Sequence, residues 1–347
     1  MDQKILIIGN TSETYHVGSM LFRAAQNLNI SVVSHDNNHE KYAPSLKYTV
    51  GKIFNRLNGK RPFEWWSFNR NAITLVEHES PQIMLVTGIF PLSEELFDCC
   101  HHFGVKSINF LTDDPWAKPL YNKRFITNLR KYDLVVSTKS RVIPDLLKCG
   151  AKNTIFLPYA YDPYWHRLPD PVPDSKLDKF TADVSFVGNG DQDRLEFLQP
   201  FASLENLKLK LFGNTWDKIF TPGWEKHSEV LSNEFRLAMY HSKISLGLLR
   251  KRSRDDSTQR TFEIAPCGGC GIYQDTPEHR NILAGYPEYG FFSSPNDLVD
   301  KCNWLLLHPY EREEMRKLGI KLIVKEENTF AARLQTILRK LGDDFLN

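Results

Sequence analysis

The chain has 347 residues, 41% hydrophobic and 25% charged, and at about 150 residues per domain the expectation is two domains able to fold without disulfides or a structural metal. The 44 Lys and Arg against 42 Asp and Glu leave a net charge of +2, which excludes the dense basic face of a nucleic-acid binder. No run approaches the roughly 18 apolar residues of a membrane helix, nothing reads as a secretory leader, and 6 cysteines make no disulfide framework, so a cytoplasmic location without a transmembrane segment is expected.

The chain opens on Lys4-Ile5-Leu6-Ile7-Ile8, an apolar run ending at Gly9, as in a parallel strand covered on both faces. After a polar loop from Asn10 to Tyr15, Val17, Leu21, Ala24, Ala25 and Leu28 share one helical face, and Ile30 to Val33 reads as a second strand. This is a βαβ unit. Residues 37–78, basic and aromatic, are expected to hold helices and loops. The alternation then resumes: strands at Gln82–Val86, Lys106–Phe110, Asp133–Val136 and Thr154–Leu157, helices at Leu92–Phe103, Pro119–Lys131 and Lys139–Lys148. Pro158, Pro163, Pro169, Pro171 and Pro173 then forbid a helix. The domain boundary is expected here, with residues 1–160 as the first domain and 161–180 as a proline-rich linker.

The second half restarts the pattern over 181–330. Asp183 to Val187 is a strand ending in Gly188-Asn189-Gly190, and a helix follows from about Asp193. Strands are expected at Leu207–Phe212, which ends in Gly213, and at Lys243–Gly247, Gly271–Tyr273 and Gly290–Phe292, with a helix beginning over 261–267. Ser294-Pro295 starts another helix, Ser as cap and Pro at the first helical position. Pro309 starts the next, and a C-terminal helix occupies 331–347, with Phe330, Leu334, Ile337, Leu338 and Leu341 on its apolar face. The fold class is α/β: two Rossmann-like domains facing each other across a cleft, with ligands at the carboxyl ends of the strands.

Gly188-Asn189-Gly190 follows a strand and precedes a helix, where backbone N–H groups and the helix dipole favour an anion; Gly9-Asn10 shares that context. The segment Ser257 to Gly269 follows a basic loop carrying Arg250, Lys251, Arg252 and Arg254. Thr258, Thr261 and Arg260 at a helix start suit a diphosphate, and Glu263 suits the hydroxyls of a ribose; a capped helix beside a solvated loop is the alternative. His16 lies in the loop after the first strand and is either a base, a sugar ligand or merely solvated. Asp113 and Asp114 sit at a strand's carboxyl end, where two adjacent carboxylates cost repulsion unless something uses them, or Asp114 simply caps the turn before Pro115. Asp191-Gln192-Asp193 has a D-x-D form but lies where Asp is a common helix cap. Cys267-Gly268-Gly269-Cys270 lacks the second ligand pair of a zinc ribbon. No metal is expected.

The run Arg260-Thr261-Phe262-Glu263-Ile264, Cys267-Gly268-Gly269 and Thr276-Pro277-Glu278 resembles the C-terminal signature of the group 1 glycosyltransferases of GT-B fold, and within them the branch of CgeB-like spore maturation proteins. The similarity continues through Phe292-Ser293-Ser294, Asp297-Leu298-Val299, Lys301, His308-Pro309, Glu311-Arg312 and Thr329-Phe330 to Arg333. Upstream it includes Asp183 to Asn189, Arg194, Leu157-Pro158-Tyr159-Ala160 and Asp113-Asp114-Pro115-Trp116.

The resemblance implies transfer of a sugar from a UDP- or GDP-sugar to an acceptor hydroxyl, without a metal or other cofactor and with retention. The donor would be held by the second domain, through Gly188, Asn189, Arg194, Gly213, Arg254, Thr258, Arg260, Thr261, Phe262 and Glu263. The family's pair of Glu residues falls on Asp255, one methylene shorter, and on Glu263. Arg194 and one of Arg250, Lys251 or Arg254 would neutralise the diphosphate. The acceptor, a glycan, lipid-linked, protein or small molecule, would meet His16, Asp113 and Asp114 in the first domain. A non-catalytic nucleotide-sugar-binding module and a sugar-nucleotide epimerase are the alternatives.

Overall fold

The computed structural model describes residues 3–37, 63–118, 120–204 and 206–342. The chain divides into two compact units, Met1–Leu157 with Arg333–Asn347, and Pro158–Ala332. The first unit holds β1 (Lys4–Gly9), β2 (Ser31–Asp36), β3 (Ile83–Thr87), β4 (Lys106–Leu111), β5 (Leu134–Ser137) and β6 (Thr154–Phe156). They form one parallel sheet in the order β2-β1-β3-β4-β5-β6. The second unit holds β7 (Ala182–Val187), β8 (Leu209–Phe212), β9 (Trp224–His227), β10 (Ser242–Gly247), β11 (Gly271–Gln274) and β12 (Phe291–Phe292). These are again all parallel, in the order β12-β11-β10-β7-β8-β9. The two-Rossmann reading is what the strands build.

The central strands are buried along most of their length because helices cover both faces. Ile5 to Ile8 and Ile83 to Val86 are buried on both sides, and the same holds for Val184 to Val187. In each sheet the strand order reverses once, between β1 and β3 in the first unit and between β7 and β10 in the second. The loops leaving the carboxyl ends of such a strand pair diverge and open a crevice, the usual ligand position in this class.

Local signals placed the helix starts well. Ser294 Oγ accepts the Asp297 N–H at 3.2 Å, with Pro295 next to it, and opens the helix Pro295–Leu307. Thr276 does the same for His279 at 3.1 Å, with Pro277 following. Asp191 caps Gln192–Leu198 through the Asp193 N–H at 3.0 Å. Within 37–78 a helix spans Phe63–Glu79; the expectation for 38–62 lies outside the described residues.

The structure departs from expectation in several places. The segment from 261 to 267 is no α-helix: Gln259–Phe262 is a 3-10 turn, and a continuous run of turns over 263–268 follows it. Pro266 has no N–H to continue a helical ladder, and Gly268, at φ +79°, ends it. Leu129–Lys131 is a 3-10 turn appended to a short helix, Lys123–Asn128. Strand β9 and the helix Ser232–Tyr240 were not foreseen. The proline-rich stretch packs on the second unit: Tyr161 and Phe180 are in its core, and Arg236 ties Asp170 at 2.6 Å. Among the described residues no helix is long and apolar enough to cross a membrane.

Gly213 ends β8 at φ +154°, and a Cβ there would stand inside contact distance of the Gly188 carbonyl oxygen. Its role is therefore to let the ends of β7 and β8 approach. Gly213→Ala is expected to destabilise the second unit by about 3 kcal/mol, read as a lowered urea midpoint; an unchanged midpoint would contradict the close-approach account.

Candidate active site

The second unit's crevice is built by the loops after β7 and β10. Residues 188–191 leave β7 and residues 248–256 leave β10. Ion pairs hold the two loops together. Asp191 accepts from Arg252 and lies 3.5 Å from Arg250 Nε, while the Arg252 N–H donates to Asp193 Oδ2 at 3.0 Å. Lys251 pairs with Glu196 one turn further on. Burial works against ionisation of Asp191, but Arg252, the Asp193 N–H and Arg250 outweigh it and hold its carboxyl below the usual range. Asp191 and Asp193 are thus occupied in capping and in ion pairs, and among the described residues no group of three His, Cys, Asp or Glu is arranged to hold a metal ion.

Arg194 projects from the first turn of the helix that Asp191 caps, and only 8% of it is exposed. Nη1 donates to the Asn189 carbonyl at 2.8 Å, and the guanidinium lies 4.8 Å from the centre of the Phe186 ring. Nε has no hydrogen-bond partner. Burial is the main cause, and the charge of Arg250 a further one, that pushes its pKa down to about 9; Asp191 and Asp255 act in the opposite sense. A cation enclosed with other cations and short of partners is stabilised by an anion brought to it. Asp255, also buried, accepts the Arg250 N–H at 3.2 Å, and Arg254 takes a left-handed conformation at φ +52° in the same loop.

The next segment is pinned from beneath. Ser257 Oγ donates to Glu278 at 2.5 Å. The Thr258 N–H donates to Thr261 Oγ1 at 3.3 Å, closing a reciprocal cap. His279 Nδ1 is 2.7 Å from the Gln274 carbonyl, which can only accept, so Nδ1 carries the proton and Nε2 accepts from the Thr261 hydroxyl at 2.9 Å. Thr261 is fully enclosed, as is Phe262, which belongs to the hydrophobic core. The expectation that these two side chains meet a donor is therefore corrected: the hydroxyl of one is consumed inside the fold and the ring of the other is packed. Cys267 and Cys270 are free and buried, and burial raises both thiols.

Glu263 is 6% exposed. Oε1 lies 3.1 Å from His166 Nε2, and Oε2 pairs with Arg260, whose guanidinium rests 4.9 Å from the Phe235 ring centre. Burial opposes its ionisation, yet Arg260, His166 and Gln259 together hold its pKa below the ordinary value. The charge of Arg260 is also felt by Arg194. Arg194, Arg250, Asp255, Arg260 and Glu263 are thus one electrostatic group, with Gly188 and Asn189 at its edge. His166 escaped the sequence reading; it stands in a proline-rich stretch with no neighbouring motif.

In the first unit, the loop after β1 is fixed by Asp36 at the end of β2, whose Oδ2 accepts from Thr11 N and Thr11 Oγ1 at 2.7 and 3.0 Å. His16 ends that loop, half-exposed, with Nε2 2.8 Å from Glu13. After β4, Asp113 accepts from the Thr112 hydroxyl at 3.1 Å. Asp114 is buried, and its Oδ1 accepts the Trp116 N–H at 3.0 Å, the turn-holding role that Asp before Pro favours.

Two doubly wound parallel sheets in succession, with a basic loop at the switch point of the second, define the GT-B architecture. Residues 194–339 match a family model described as Glycosyl transferase-like. The chain therefore has the GT-B fold and carries a glycosyl transferase-like domain over residues 194–339, which together support a transferase. No curated protein matches it in sequence. Among solved structures, sucrose-phosphate synthase from Thermosynechococcus elongatus is 13% identical with a TM-score of 0.69, over 98% of this chain and 99% of that one. A glycosyltransferase from Rickettsia africae is 11% identical with a TM-score of 0.63, over 100% and 99%. T4 phage BGT in complex with its UDP-glucose substrate is 14% identical with a TM-score of 0.60, over 98% and 100%.

The pinning network predicts a pH response. Burial lowers His279 from 6.5 to about 4, so between those values the unfolded chain binds more protons than the folded one. Its contribution, on the order of 3 kcal/mol, is complete above pH 6.5 and declines as pH falls towards 4. Urea unfolding from pH 7.5 to 5 should show this loss, and His279→Leu, though less stable, should flatten that stretch of the profile.

Proposed function

We propose that this protein moves a sugar from a nucleoside-diphosphate sugar, UDP- or GDP-linked, to an acceptor hydroxyl. The observation that carries the reading is Arg194: a buried guanidinium with an unpartnered Nε, beside Arg250 and in the field of Arg260, at the switch point of the second sheet. A diphosphate supplies the missing negative charge, and gains more of it as the sugar bond breaks, so fixed cations there stabilise departure of the leaving group. Gly188 and Asn189 line the approach, and Arg254 extends the positive edge. Asp255 faces the donor sugar.

Glu263 takes a ribose hydroxyl. A carboxylate offers about four lone-pair directions, and the one left by His166, Arg260 and Gln259 is the one a ribose hydroxyl would use. In the first unit, Asp113 and His16 receive the acceptor, and Asp114 keeps the loop of Asp113 in place. The substrate of T4 phage BGT, UDP-glucose, supports a uridine nucleotide. Membership of the CgeB-like branch, retention and metal independence rest on the sequence run from Arg260 to Arg333.

Thermal unfolding with UDP, GDP, ADP and TDP tests the donor reading. One nucleotide at about a hundred times its Kd should stabilise the protein by about 2.7 kcal/mol, and Arg194→Ala and Glu263→Ala should cut the shift. EDTA should leave it unchanged. A folded sample that none of the four stabilises would refute a donor site. Release or transfer of the sugar from the matching nucleotide sugar separates an enzyme from a binding module, and an epimerised product would point to an epimerase.

A further inference from the structure

His166 is completely enclosed, and both ring nitrogens are spoken for. Nδ1 lies 2.9 Å from the Asp162 N–H. A backbone amide only donates, so Nδ1 accepts, the ring is neutral, and its proton sits on Nε2, which donates to Glu263 Oε1 at 3.1 Å. The other carboxylate oxygen pairs with Arg260. Arg260 alone balances the charge of Glu263, so a neutral imidazole adds no electrostatic necessity. It adds direction. With one oxygen held by a ring beside Phe235, at 6.2 Å between ring centres, the carboxylate plane is set, and so is its remaining lone pair.

We infer that His166 is a positioning residue that orients the Glu263 carboxylate towards a ribose diol, and so makes the site discriminate ribonucleoside from 2′-deoxyribonucleoside diphosphates. The inference rests on the role given to Glu263 above and extends it to a residue outside every motif of the chain.

Two isosteric substitutions separate positioning from support of the fold. In His166→Asn the amide oxygen stands where Nδ1 was, so the Asp162 turn is kept and the Glu263 bond is lost. In His166→Gln the amide N–H stands where Nε2 was, so the Glu263 bond is kept and the turn loses its acceptor. Isothermal titration with UDP against 2′-deoxy-UDP, and GDP against 2′-deoxy-GDP, gives the ratio of affinities. The unmodified protein should prefer the ribose form by roughly tenfold, the worth of a hydrogen bond to a charged group. His166→Asn should bring the ratio to about one, and His166→Gln should keep it within about threefold of the original. A merely structural role predicts the reverse order of damage, in melting temperature alone.

Undiminished preference in His166→Asn, or its loss in His166→Gln, overturns the inference, and if one variant does not fold the other decides. Glu263→Ala distinguishes the two levels. Preference lost there but kept in His166→Asn leaves the ribose reading standing and removes only the part of His166. An unmodified protein that binds no ribonucleotide, or shows no preference, fails the Glu263 reading and takes this inference with it.

Discussion

Arg194 is enclosed more tightly than a guanidinium ordinarily tolerates, and the second unit is arranged around that fact. Its helix starts at Asp191, and Asp191 is also the anchor for Arg250 and Arg252 on the loop after β10. The same carboxylate that caps the helix therefore closes one loop on the next. Phe186 supplies a ring face, and the Asn189 carbonyl takes one N–H. What these do not supply is a carboxylate bonded to Arg194 itself or a partner for its Nε, and a buried guanidinium left so is the property a diphosphate site uses.

The cationic loops need a rigid floor, because charge-assisted hydrogen bonds to a ligand depend on fixed distance and direction. The Thr258–Thr261–His279–Gln274 chain and the Ser257–Glu278 bond provide it, with each donor matched to an acceptor. Residues that looked like ligand contacts in the sequence, Thr261 above all, belong to this floor. A hydroxyl at the start of a turn can face a ligand or a neighbouring side chain with equal local logic. Only the packing of the helix Pro277–Ile282 beneath it decides, and that packing is not written in the local pattern.

Much of the fold was legible because parallel strands buried on both faces read as unbroken apolar runs, and because caps such as Ser294-Pro295 are local. Strand β9 was not: as an edge strand it follows buried Trp224 with exposed Glu225 and Lys226, charges that protect an edge and hide a strand. The cluster of Arg194 and Arg250 was legible as charge near Gly-rich turns. His166 was not, since it gains its meaning from Glu263, a residue far along the chain that no spacing rule connects to it. In the first unit, Asp113 and Asp114 read as a pair, yet one is half-buried at the loop surface and the other is locked into the Trp116 turn.

The first unit is written in two pieces, with residues 158–332 between them. Its closing piece is the far end of the helix Phe330–Leu341, whose Leu334, Ile337 and Leu338 are buried. During synthesis, at roughly 5–20 residues per second, the ribosome spends about ten to thirty-five seconds making the intervening unit. Throughout that interval the first unit waits for its closing piece, while the second unit, continuous in the chain, can fold at once. The order in which the halves emerge is thus the reverse of the order in which they can be completed.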